Sequence, residues 1–261
     1  MVKELYLREI NIWQFICLNK ESDAFLRVQY RLKETIVTLG AEREEYIEIA
    51  RSAIQKQRSL LESYITSDPF FRITLEPYNV PDSAPDIVRR MAEACSLVGI
   101  GPMGAVAGTI AWMAVEAMVE AGATYAFVDN GGDIALFTDR PLLIGIFAGS
   151  SSIKNLGLEV QPRDAIQGIC TSSGTVGPSI SFGTADAALV VSGDVSLADA
   201  AATALGNAVP DTGELEVAFD VVRDVQAIQG AMVIKNNEFA VWGELPKLAR
   251  ARMKPDFITR G

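Results

Sequence analysis

Near its start the chain alternates apolar and polar positions in short runs. Leu5-Tyr6-Leu7 and the stretch from Phe25 to Tyr30 have a period of two, which predicts antiparallel strands of a meander. Over residues 41–63 the period lengthens, and Tyr46, Ile49, Ala50, Ile54 and Leu61 fall on one stripe of a helix. Pro69, Pro77, Pro81 and Pro85 punctuate the next stretch, around an expected strand at 71–75. Residues 86–97 then read as a second helix.

The centre changes character. Gly101-Pro102-Met103-Gly104 leads into an Ala-rich helix over 105–121, with Gly122 placed as its C′ cap. A buried strand at 124–128, the turn Asp129-Asn130-Gly131-Gly132-Asp133 and a partner strand at 134–137 predict a hairpin. Further strands are expected at 142–147, 165–171 and 187–191. A second Ala-rich helix follows over 196–208 with Ser196 as N-cap, and then a helical stretch at 219–225. A hairpin of 231–235 and 239–242 across Asn236-Asn237 closes the pattern. Strands and helices alternate without a linker, which predicts one α/β (α+β) domain. Residues 1–84 form its meander and helix, 85–245 the motif-bearing core and 246–261 a basic tail. Residues 94–115 carry no charge and have transmembrane length, but Gly99, Gly101, Pro102, Gly104 and Gly108 interrupt the first half. A loop entering a buried helix accounts for it, and no membrane role is expected.

Composition narrows the chemistry. The 261 residues include no histidine, which excludes Ser-His-Asp and Cys-His sites, imidazole acid–base catalysis and His-ligated metals. The net charge of −10 is concentrated in residues 61–246, with eight basic against 23 acidic residues, so nucleic acid is not an expected partner. Small anionic ligands remain compatible through helix N-termini or a bridging cation. Cys17, Cys95 and Cys170 are too few and scattered for a disulfide framework or zinc knuckle. No charged-then-apolar leader opens the chain, so a cytoplasmic location is expected. Ala/Gly-rich helices and a mean hydropathy of +0.21 point to a homodimer.

Four segments concentrate polar or glycine-rich chemistry. Gly101, Pro102 and Gly104 at a helix start suit either an anion on backbone N–H groups or close helix packing. Asn130, Gly131, Gly132 and Asp133 carry more polarity than a hairpin turn requires. Asp199 and Thr203, four apart, share one helix face and suit a hard cation such as Mg²⁺; a dipole-favoured Asp and a back-bonding Thr are the alternative. Cys170, Thr171, Ser172, Ser173 and Gly174 form a hydroxyl-rich segment able to hold phosphate, where Cys170 is either a nucleophile or an inert buried thiol.

The strings GPMGAVAG, VDNGGDI, TSSGTVG, FGTADAALV and LADAAATAL occur in that order. Over residues 85–245 the chain resembles the ApbE superfamily of FAD:protein FMN transferases and thiamine-biosynthesis lipoproteins, closest to an uncharacterised bacterial and archaeal branch. The resemblance implies an ApbE-like, T-fold-like sheet packed with helices. It also implies a flavin pocket at Asn130, Gly131, Gly132 and Asp133, and Mg²⁺ ligands at Asp199 and Thr203, with Asp199 serving catalysis. The transferases carry Ala-Lys-Gly where this chain has Val106-Ala107-Gly108. They carry a histidine where it has Gly177-Pro178-Ser179. These departures imply weak FAD binding and a degenerate FMN transferase. Association of the branch with sulfur assimilation into homocysteine implies, as an alternative, a persulfide carrier at Cys170. A non-catalytic ligand-binding protein is the third reading.

Overall fold

The computed structural model describes residues 15–17, 25–148, 151, 153, 155–172 and 184–251. In chain order the first strands are β1 (Phe15–Cys17), β2 (Leu26–Leu32), β3 (Thr35–Ala41), β4 (Tyr125–Asn130), β5 (Asp133–Thr138) and β6 (Leu142–Ile146). They are followed by β7 (Leu156–Val160), β8 (Arg163–Ser172), β9 (Ala187–Ser192), β10 (Ile228–Lys235), β11 (Glu238–Gly243) and β12 (Lys247–Arg250). The helices are α1 (Glu44–Ser67), α2 (Phe70–Ile73), α3 (Asp86–Leu97), α4 (Val106–Glu120) and α5 (Val195–Ala208).

Eight strands form one antiparallel sheet in the order β11-β10-β9-β8-β5-β4-β3-β2, and β1-β6-β7-β12 form a second. Strand alternation assigns the two faces of the large sheet. Along β4, Ala126 and Val128 pack into a core shared with the helices, whereas Tyr125 and Phe127 pack into a core shared with the small sheet. The chain is therefore a three-layer α/β protein, with helices on one face of the central sheet and a four-stranded sheet on the other. The 19-residue stretch Pro102–Glu120 is long and apolar enough to cross a membrane by length and composition, and half of it is buried in the structure.

The helix face is built from small residues. Gly168 on β8 lies so close to α5 that a Cβ there would sit 2.9 Å from Val195 Cα. α4 ends where Gly122 adopts φ +100°: the Gly122 N–H donates to Val119 O at 2.9 Å and the Ala123 N–H to Met118 O at 3.0 Å, the paired bonds of a Schellman cap. At the β4–β5 turn, Gly131 (φ +67°) and Gly132 (φ +98°) supply the two left-handed positions that a two-residue hairpin loop needs.

Several expectations change. Residues 71–75 are not a strand: α2 opens after Pro69 in a helical conformation, and Phe71 is fully buried while Ile73 and Leu75 are 67% and 60% exposed. The apolar alternation misled because Phe71 alone anchors the segment, edge-on to Tyr64 at 5.2 Å between ring centroids. The first long helix starts at Glu44, since residues up to Ala41 belong to β3. Ser196 is not the N-cap of α5; Asp194 is, accepting the Leu197 N–H at 2.9 Å. The helical stretch expected at 219–225 is a 3₁₀ turn over Leu215–Val221. Lys247–Arg250, within the expected basic tail, pairs with β7 as an edge strand.

Candidate functional site

α4 begins without a side-chain cap of its own. The leading N–H groups of a helix lack partners and carry its positive dipole end, so an anion is favoured there. The chain supplies that anion from another helix: the Gly108 N–H donates to Asp199 Oδ2 on α5 at 2.7 Å, and the Ala107 N–H acts on the same carboxylate. Only glycine fits at position 108, because a Cβ would lie 2.7 Å from Asp199 Cβ and 2.9 Å from Val195 O. One turn further along α5, Thr203 Oγ1 approaches Gly104 O at 3.4 Å. Below them, Thr109 Oγ1 lies 2.8 Å from Ser196 Oγ, tying α4 to α5.

The β4–β5 hairpin faces this junction from the sheet. Asn130 lies on the helix face, and its Nδ2 donates to Ala107 O at 3.0 Å. Asp133 pairs across the ladder with Cys170, so both point toward the helices. Asp129 points the other way and closes the turn by accepting the Gly132 N–H at 3.0 Å. The Thr171 N–H donates to Gly132 O at 3.1 Å and also serves the Asp133 carboxyl.

The electrostatics follow from burial. Desolvation pushes the Asp199 carboxyl up to about 7, against the stabilising Gly108 and Ala107 N–H groups. Burial also drives Asp133 well above the usual carboxylate range, reinforced by the charges of Asp199 and then Asp129. Among the described residues, the groups acting on this pair are carboxylates, a thiol and N–H donors, with no lysine or arginine. The described part of the site is acidic.

The donor set fits a hard cation. Asp199, Thr203 and the Gly104 carbonyl present oxygen only, the chemistry Mg²⁺ prefers, with remaining positions left to water or ligand phosphate. Among the described residues no cluster of three or more acidic or thiol side chains is arranged to hold a metal, so such an ion would depend on those non-carboxylate oxygens.

The remaining sequence-selected residues divide. Gly104 lies beside Thr203, whereas Gly101 packs against the Thr74–Leu75 backbone and the Pro102 carbonyl meets Cys95 Sγ; the Gly104 N–H already donates to Gly101 O at 3.0 Å. The expected free N–H cradle is thus largely filled by internal bonds, and at the start of α4 by Asp199. Thr171 and Ser172 sit on opposite faces of β8, so they form no single hydroxyl row; Ser172 overlies α5 at Gly206. Ser173 and Gly174 lie outside the described residues. Cys170 is fully buried, and burial, then Asp133 and Asp199, pushes its thiol well up. That environment suits an inert thiol rather than a nucleophile. The helix-start N–H groups expected to hold an anion include those of Ala107 and Gly108, and the anion they meet is the chain's own Asp199 carboxylate; what the sequence does not signal is the Gly104 carbonyl beside Thr203. A separate groove of about 590 Å³ between α1, α3 and α4, rimmed by Glu48, Lys56, Arg90 and Glu120, contains none of these residues.

Fold and site together define a three-layer α/β protein with a buried, carboxyl-bearing junction where the hairpin meets the start of α4. The chain belongs to the family described as "AbpE bacteria", whose model matches residues 17–233, and so to an ApbE-like branch. It is 58% identical over 236 residues to a UPF0280 protein of Methanosarcina acetivorans, covering 90% of this chain and 93% of that one. It is 46% identical over 239 residues to a UPF0280 protein of Archaeoglobus fulgidus, covering 90% and 99%. In fold it is similar to the flavinyl transferase ApbE of Pseudomonas stutzeri, with a TM-score of 0.57 at 12% identity over 84% of this chain and 94% of that one. The flavin transferase ApbE of Vibrio cholerae matches with a TM-score of 0.55 at 11% identity, over 84% and 96%. At such identities the likeness concerns the fold.

Proposed function

We propose that this protein binds a small anionic ligand of the flavin-nucleotide type through Mg²⁺, as a degenerate relative of the FMN transferases. The observation that supports the reading is the convergence of two buried carboxyls, Asp133 and Asp199, with Thr203 and the Gly104 carbonyl one turn along α5. Asp199 and Thr203 would hold the ion, which when bound supplies charge neutralisation on a pyrophosphate. Asn130 fixes the hairpin to α4, and Asp133 is the second buried carboxyl beside Asp199. FAD itself binds weakly. Position 107 offers a methyl group where the transferases offer a lysine, and a charged contact to phosphate contributes about 1.5–3 kcal/mol. Each 1.4 kcal/mol is tenfold, so the loss amounts to roughly ten- to a hundredfold in affinity. The buried thiol at Cys170 gives a persulfide carrier no support.

Calorimetric titration tests this. Mg²⁺ should bind the parent and bind Asp199→Asn much more weakly; equal affinities would remove the metal role. FAD added with Mg²⁺ should bind with a dissociation constant above the micromolar range. Submicromolar binding, or flavin retained through purification, would replace the degenerate reading with a full transferase.

A further inference from the structure

The two edges of the large sheet are unlike. At one edge, β2 carries Arg27 and Arg31 along its length, and the turn that follows is tied to α1 by the Lys33–Glu62 ion pair at 2.6 Å. Charged side chains of this kind oppose pairing with another strand. At the other edge, β11 has no proline and its only charged residue is Glu238, at its first position. Among the described residues nothing pairs with its outer side, which leaves a row of backbone donors and acceptors suited to another strand. Phe239 and Val241, 51% and 42% exposed, stand opposite Ile234 and Met232 of β10 and extend the sandwich core to the molecular surface. On the opposite face Val217 and Val221, 57% and 37% exposed, belong to the 3₁₀ turn that packs against β11.

We propose that β11 pairs antiparallel with β11 of a second copy about a two-fold axis, joining the two large sheets into one across a homodimer. A two-fold axis normal to the sheet keeps each face continuous, so residues of like parity must oppose one another. With Ala240 on the axis, Phe239 of each copy opposes Val241 of the other, an aromatic–β-branched pair formed twice, and Glu238 opposes Trp242. Moving the axis to Val241 would set Glu238 against Glu244, two like charges. Charge disfavours the register centred on Val241, and the doubled Phe239–Val241 contact favours the one centred on Ala240.

Sedimentation equilibrium of the full chain over a range of concentrations tests the proposal. The parent should be a dimer, and Val241→Lys a monomer with an unchanged far-UV spectrum. Should Val241→Lys fail to fold, Phe239→Lys and a cross-link serve instead. Opposed residues of an antiparallel pair have Cα atoms about 4.5–5.5 Å apart, within disulfide reach. Ala240→Cys should therefore give a reductant-sensitive dimer on mild oxidation, absent from the parent, and Val241→Cys should not. A monomeric parent, a dimer that survives Val241→Lys, or cross-linking at Val241→Cys in place of Ala240→Cys would overturn it.

Discussion

The two faces of the central sheet are made of different material. Toward the small sheet it presents Tyr125, Phe127, Ile134, Leu136, Leu189, Met232 and Ile234, a buried layer of large side chains. Toward the helices it presents Ala126, Ala135, Gly168, Ala188 and Ala231, interrupted by Asn130, Asp133 and Cys170. Bulk on the first face contributes stability through buried area. Smallness on the second lets α4 and α5 approach until backbone N–H groups and carboxyls of different elements meet. One face holds the molecule together; the other makes a polar site inside it.

Four experiments break or sharpen that contrast. Phe127→Ala should cost about 3–5 kcal/mol in denaturant unfolding, the range for emptying a buried aromatic site, while leaving Mg²⁺ affinity intact. Gly108→Val should cost about 1–3 kcal/mol by overpacking, and here Mg²⁺ binding should vanish because the side chain pushes α4 off Asp199. The third is a pH series. The Asp199 carboxyl is raised to about 7 from 3.8, and Asp133 is raised as well, so the folded state holds protons that the unfolded chain releases. Their contribution to stability is complete below the unfolded value and is lost as pH rises through about 7. Melting temperature should fall between pH 5 and pH 8, Mg²⁺ should reverse the fall, and Asp199→Asn should flatten it. The smallest effect is expected of Asn130→Ala, which removes the bond to Ala107 O and should cost about 0.5–1.5 kcal/mol, read by chemical denaturation.

Much of this architecture was legible in the residues. The Asn-Gly-Gly turn announced its hairpin because left-handed backbone has few solutions, and Gly122 marked the end of α4 for the same reason. The stretch at 71–75 was misread because in five residues a period of two and one turn of helix look alike. β7 and β12 gave little signal, since Leu156–Val160 is short and carries Gly157, and Lys247–Arg250 reads as charge. At the site, residue types were legible and directions were not. Asp129 and Asp133 look equivalent in sequence, yet strand phase sends one into the turn and the other toward Asp199. The capping of α4 by Asp199 joins positions 91 apart, and no local pattern encodes it.

The small sheet has one more consequence. Its middle strands, β6 and β7, form a local hairpin, but its outer strands come from opposite ends of the chain, at Phe15–Cys17 and Lys247–Arg250. Contacts of such long sequence separation require closing a very large loop, which slows their formation. During synthesis the β6–β7 hairpin therefore emerges long before β12 exists, and the outer backbone edge of β7 stays unpaired until residues 247–250 have been made. Truncation before residue 247 would leave that edge of β7 open to pairing with another strand.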